Sequence, residues 1–116
     1  MAIDDPLTIT RHPGIAPGTS ILTLVGPVTL SNLFDLQARL RDGFAPVVQL
    51  LDLSGVPYMD SAGMGAIINF HVSCQNKRIR LIVCGVSPRV MELFRMTRVD
   101  SVLSFFPSVE AAEAAL

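Results

Sequence analysis

The sequence predicts a single α/β domain, a mixed and mostly parallel sheet of four to five strands with about four helices packed on it. Three observations carry that expectation. Strand-like and helix-like hydrophobic spacing alternate along the chain after an opening pair of strands. The run Val47-Val48-Gln49-Leu50-Leu51-Asp52-Leu53 is mostly apolar, as a strand covered on both faces must be. The chain has 116 residues, 50% of them hydrophobic, which is enough for one core without a disulfide or metal staple. Nothing repeats along it, so residues 1–116 form one domain, with 1–6 expected to be a flexible N-terminus.

The elements follow in order. Leu7, Ile9 and Arg11 mark a weak first strand, and Pro13 to Gly18 is a turn-rich loop. Ser20 to Val25 is a strand closed by Gly26-Pro27. From Leu30 to Asp42 apolar residues fall at 30, 33, 34, 36 and 40, near helical spacing, and Gly43 is a suitable stop. The buried strand at 47–53 ends in the turn Ser54-Gly55-Val56-Pro57. A helix with a broad apolar face runs from Ala62 to about Asn76, then a strand from Ile79 to Cys84. Ser87-Pro88 supplies an N-cap and a first-turn proline for the next helix, whose stripe is Val90, Leu93 and Phe94. Leu103 to Phe106 is a last short strand, and Ser108 caps a final amphipathic helix that carries Glu110 in its first turn.

Composition excludes several classes of function. With 9 basic and 10 acidic residues the net charge is −1, so long-range attraction to nucleic acid or an anionic membrane is not expected. Charged residues make up 16%, too few for a disordered chain. The N-terminus lacks the basic and apolar runs of a secretory signal. The longest uncharged stretch, His12 to Phe34, is broken by prolines and glycines that a membrane helix would not carry. Cys74 and Cys84 have no second pair and no clustered His, so they are expected to be reduced cytosolic thiols with no metal.

The most informative segment runs from Leu50 through Ser54-Gly55-Val56-Pro57-Tyr58-Met59 to Asp60-Ser61-Ala62-Gly63-Met64-Gly65. It leads out of a buried strand, through a turn, into a helix N-terminus. Asp60 or Ser61 can cap the unpaired N–H groups there. Gly63 and Gly65 each cost a helix about 1 kcal/mol against Ala. That cost suggests a close backbone approach by the sheet, a phosphate or a partner protein. A capped helix docked on a sheet by small residues would account for the same pattern.

Residues 50–65, with Leu81-Ile82-Val83-Cys84-Gly85-Val86-Ser87-Pro88 and Leu93-Phe94, resemble the STAS domain of bacterial anti-sigma factor antagonists. The likeness runs in order from about Leu7 to Leu116. Its most specific piece is Asp60-Ser61-Ala62-Gly63-Met64-Gly65, similar to the family's Asp-Ser-Ser-Gly-Leu-Gly. The resemblance implies a cytoplasmic protein-binding switch and no enzyme. The unphosphorylated antagonist would hold an anti-sigma factor of the serine-kinase type. Phosphorylation of Ser61 would release it, and a phosphatase would reset the cycle. Asp60, Ser61, Ala62, Gly63 and Met64 would form the partner contact, Ser61 the phosphoacceptor. No cofactor is implied, and self-association as a homodimer is permitted.

Three departures from the family pattern matter. The second signature serine is Ala62, which leaves Ser61 as the single hydroxyl. Gly26-Pro27-Val28-Thr29 stands where the family often carries acidic residues. Met59, Met64, Met91 and Met96 suit either core filling or an adaptable contact surface, and core filling is the expectation.

Other chemistries fit less well. A nucleophilic serine needs a base in reach, yet His12 lies in a Pro/Gly-rich region and His71 about 15 Å along the same helix as Ser61. Met59 breaks the nucleophile-elbow pattern. Gly63-Met64-Gly65 lacks the third glycine and Lys-Ser/Thr of a phosphate-binding loop. Asp52 and Asp60 are expected to end a strand and cap a helix rather than act as an acid–base pair. A domain of this kind serving as a non-switching scaffold beside a membrane transporter is the alternative function.

Overall fold

β-Branched Thr8, Ile9 and Thr10 favour extended backbone, and they open β1 (Thr8–Pro13), which pairs antiparallel with β2 (Thr19–Val25). The computed structural model describes residues 6–41 and 45–116; most of the N-terminus expected to be flexible (residues 1–5) and the helix-stopping Gly43 lie outside the described residues. After β2 come a 3-10 turn (Leu30–Asn32) and α1 (Leu33–Leu40). They lead to β3 (Val48–Gly55), α2 (Ser61–Asn76), β4 (Arg80–Cys84) and α3 (Pro88–Met96). A 3-10 turn (Val99–Ser101), β5 (Phe105–Phe106) and α4 (Val109–Ala114) complete the chain.

The five strands lie in the order β1-β2-β3-β4-β5, and every pair after the first is parallel. Right-handed crossovers between successive neighbours put their connecting helices on one face of the sheet. The packing agrees. Leu22, Leu24, Leu51, Leu53, Leu81 and Val83 point to the face that also buries Leu36 of α1, Ile67 of α2 and Phe94 of α3. Alternate residues Ile21, Leu50, Ile82 and Cys84 point to the other face, where α4 supplies Ala112 and Val109. The two-sided burial expected of the 47–53 run holds for its centre, with Leu50, Leu51 and Leu53 all buried, but Val47 precedes the strand and is exposed.

Three helices begin as the sequence indicates. Asp60, Ser87 and Ser108 accept hydrogen bonds from the N–H groups of Gly63, Val90 and Ala111 at 2.8, 3.3 and 3.0 Å. The differences are local. The expected helix from Leu30 opens as a 3-10 turn because Asn32 turns inward and donates its Nδ2 to the Pro27 carbonyl at 2.7 Å. β3 continues past Asp52 to Gly55, so Asp52 does not end the strand; its Oδ1 accepts from the Ser54 N–H at 3.0 Å. The last strand is two residues long, since Leu103 turns into the core instead. Among the described residues no helix is long and apolar enough to cross a membrane.

Candidate functional site

The C-terminal ends of β2, β3 and β4 feed three connections into helices, and the candidate site forms where the first two meet. Beyond the strands the parallel ladder continues for one more bridge, Val28 with Met59. The Val28 N–H donates to the Tyr58 carbonyl at 3.0 Å, and the Asp60 N–H donates to the Val28 carbonyl at 3.2 Å. Val28 is fully buried. The Gly26-Pro27-Val28-Thr29 segment therefore acts through its backbone, as a fixed seat for the start of α2.

On that seat α2 approaches unusually closely. A Cβ on Gly63 would stand 2.2 Å from the Val28 carbonyl oxygen, so only glycine fits. Of the three approaches that the sequence leaves open at Gly63, the chain's own backbone is the one observed. Gly65 is different: a Cβ there would meet nothing within 4 Å.

Asp60 organises the site. Its Oδ1 accepts the Gly63 N–H at 2.8 Å and caps α2. Its Oδ2 accepts the Leu30 N–H at 3.0 Å and holds the 3-10 turn after β2. One carboxylate thus joins the starts of two helical segments. Because Asp60 is the cap, Ser61 is left at the first helical position, exposed at the protein surface. Ala62 is half-buried, while Gly63 and Met64 are buried beneath it. The Thr97 hydroxyl donates to the Leu93 carbonyl at 2.9 Å and lies 3.2 Å from the Met64 sulfur, so the start of α2 packs against the end of α3. On the β4 side, the Arg89 guanidinium stands 5.0 Å above the Tyr58 ring.

Two exposed apolar side chains on the segment after β2 are not distinguished by the sequence. Leu30 and Phe34, counted there in an apolar helical stripe, are 65% and 81% exposed. Leu30 takes part in the Asp60 bond through its N–H and Phe34 follows four residues on, while Leu36 alone of that stripe is fully buried. No sequence signal separates them from core residues, since their spacing is that of a buried face. The methionines divide similarly. Met59 and Met64 are buried and Met91 packs against the core, but Met96 is 74% exposed.

Neither histidine reaches Ser61. His12 bonds the Thr23 hydroxyl at 3.0 Å on the antiparallel hairpin. His71 is half-buried on α2, and its Nε2 is shielded from solvent without a hydrogen-bond partner among the described residues. Among the described residues, no three His, Cys, Asp or Glu side chains cluster as metal ligands would.

The fold and the site define a one-sheet α/β domain that presents a serine at the head of a helix. The chain belongs to the STAS-domain family, whose profile matches residues 7–112. Over 102 residues, 84% of each chain, it is 31% identical to BtrV of Bordetella bronchiseptica, assigned as an anti-sigma factor antagonist. It is 32% identical over 57 residues to the anti-sigma-B factor antagonist of Listeria monocytogenes, a match spanning 49% of this chain and 50% of that one. The chain therefore spans about half the length of that relative. Among solved structures, an anti-sigma factor antagonist from Mycobacterium paratuberculosis superposes with a TM-score of 0.87 at 18% identity, covering 99% and 97% of the two chains. A sulfate transporter family protein from Wolinella succinogenes gives 0.78 at 26% identity over 88% of each chain. The Bacillus cell fate determinant SpoIIAA in its phosphorylated form gives 0.68 at 16% identity, covering 94% and 100%. At 18% and 16% the likeness is one of fold.

Proposed function

We propose that this STAS domain is an anti-sigma factor antagonist that works as a phosphorylation switch in the cytoplasm. Unphosphorylated, it sequesters an anti-sigma factor of the serine-kinase type through Asp60, Ser61, Ala62, Gly63 and Met64. The exposed Ser61 and half-buried Ala62 make the direct contact, with Gly63 and Met64 as its floor. Leu30 and Phe34 extend the contact with apolar surface. The observation that carries the reading is that Ser61 is exposed at the first helical position while Asp60 does the capping, so its hydroxyl is free for another protein's active site.

In the switching step the kinase transfers a phosphoryl group from its nucleoside triphosphate to Ser61 Oγ. An O–P bond forms, the hydroxyl proton leaves, and the nucleoside diphosphate departs. The chain contributes no catalysis, being the substrate; a phosphatase resets it by hydrolysis, water attacking phosphorus so that the Ser61 hydroxyl is restored and inorganic phosphate is released. Phosphate adds a charge of about −1.5 to −2, which the helix N-terminus tolerates within the fold. Inside a partner interface the same charge is desolvated beside Asp60, and each 1.4 kcal/mol lost there weakens binding about tenfold.

The test uses wild-type and Ser61→Asp proteins as paired baits, followed by incubation of the retained partner with ATP. Support requires that the wild type alone retains a serine kinase and that this kinase phosphorylates Ser61. Equal retention by both baits overturns the switch. It would favour the second reading, a constitutive scaffold beside a transporter, for which the likeness to the Wolinella transporter-family protein speaks.

A further inference from the structure

The reading of Ser61 as phosphoacceptor leaves open how the rest of the surface senses the phosphate. We propose that Asp60 is a positioning residue that carries the phosphorylation state of Ser61 to the segment bearing Leu30 and Phe34. The inference rests on the proposed function for the identity of the modified residue, and on geometry for the coupling.

Asp60 spends both carboxylate oxygens on backbone N–H groups of two different segments, Gly63 at 2.8 Å and Leu30 at 3.0 Å. The two bonds are not equally protected. The one to Gly63 is partly buried and lies within the first turn of α2, whereas the one to Leu30 is exposed. The backbone ladder between the two connections ends at Val28, Met59 and Asp60. Past that point the Asp60 carboxylate supplies the hydrogen bond that ties Leu30 to the head of α2.

A phosphate on the adjacent Ser61 changes both sides of this arrangement. Two anions then share the head of one helix, and the phosphate is itself a strong acceptor for the N–H groups there. Repulsion and competition both act on Asp60. The exposed bond to Leu30 yields first, because water can replace the carboxylate at that N–H while the buried side of the cap has no such substitute. The 3-10 turn from Leu30 to Asn32 loses its outer tether, while the buried Asn32–Pro27 bond and Leu36 keep α1 seated, so the change centres on exposed Leu30. A change of charge at one hydroxyl thereby alters the apolar part of the surface as well.

The experiment compares amide hydrogen exchange in the protein with and without phosphoserine installed at position 61 during translation, with no partner present. Loss of a hydrogen bond to a charged group is expected to speed exchange of the Leu30 amide by about tenfold. The Leu51 amide in the central strand should not change. In Asp60→Asn, which has one acceptor oxygen for two donors, phosphoserine should produce no such acceleration. An unchanged Leu30 amide in the otherwise wild-type phosphoprotein overturns the proposal, whether or not the Asn variant folds. So does equal acceleration in Asp60→Asn, since the phosphate would then act without Asp60. Because no partner enters the measurement, its failure is separate from a failure of the paired-bait experiment.

Discussion

The head of α2 rests on the carbonyl of Val28 so closely that a methyl group at position 63 would lie 2.2 Å from that oxygen. Contact with the Val28 side chain, 2.7 Å away at Cγ1, closes off the sideways escape. Gly63→Ala must therefore push α2 off its seat and should cost about 3 kcal/mol or more. Gly65→Ala meets open space and removes a helix-interior glycine, so it should stabilise by up to about 1 kcal/mol. Thermal unfolding of the two variants checks both, with midpoints expected to move in opposite directions.

Removing the carboxylate of Asp60 leaves the N–H groups of Gly63 and Leu30 without their side-chain acceptor. Asp60→Ala is expected to lose about 2 kcal/mol in denaturant unfolding, the upper end for a cap. Asp60→Asn, which keeps one bond, should lose about half of that.

Substitutions at Ser61 should leave folding alone and act on binding. The side chain is exposed and makes no cap, so Ser61→Ala and Ser61→Asp should unfold within about 0.5 kcal/mol of wild type. Binding of the kinase-type partner should survive in Ser61→Ala, which can then never be released by phosphorylation, and should be lost in Ser61→Asp. A Ser61→Asp protein that fails to fold would make the residue structural.

Phe34 is 81% exposed, so Phe34→Ser should leave stability within about 0.5 kcal/mol of wild type. If its ring packs against the partner of the proposed switch, the same change should weaken binding at least tenfold, the effect of losing about 1.4 kcal/mol. Calorimetric titration of the partner into each variant separates the two effects.

Burial pushes the Cys84 thiol up to about 12, with Asp52, Glu110 and Glu113 adding to the shift. Burial raises Cys74 as well, partly offset by Lys77. Both thiols should resist alkylation at pH 8 until the protein unfolds. The linkage has a definite sign. Between the ordinary thiol value of 9.0 and about 12 the folded state keeps a proton on Cys84 that the unfolded chain gives up. The stabilising contribution is thus complete below pH 9 and lost as pH rises through that window. Urea unfolding from pH 8 upward should show this decline, and Cys84→Ala should reduce it to the part left by Cys74.

Much of the architecture could be read from local chemistry. The pair Asp60-Ser61, with Ser87 and Ser108, announces three helix starts because capping needs only a short polar side chain three residues before the N–H it accepts. The strand at Val48–Gly55 was legible because a strand covered on both faces cannot alternate apolar with polar. The stripe from Leu30 to Leu40 was half legible. Periodicity identifies a helix but does not say how wide a face its neighbours cover, so Leu36 is buried while Leu30 and Phe34 are not.

The order of residues by itself determined the α/β class, the sequence of elements and a capped helix start at 60–65, since each depends on interactions within a few positions. Only the tertiary structure decided which of Asp60 and Ser61 caps the helix, that Gly63 is needed against Val28 while Gly65 is not, and that Asp60 also holds Leu30. Those facts join the connection after β2 to the connection after β3. They are set by how two neighbouring parallel strands place their C-terminal ends, a long-range relationship that no local pattern encodes.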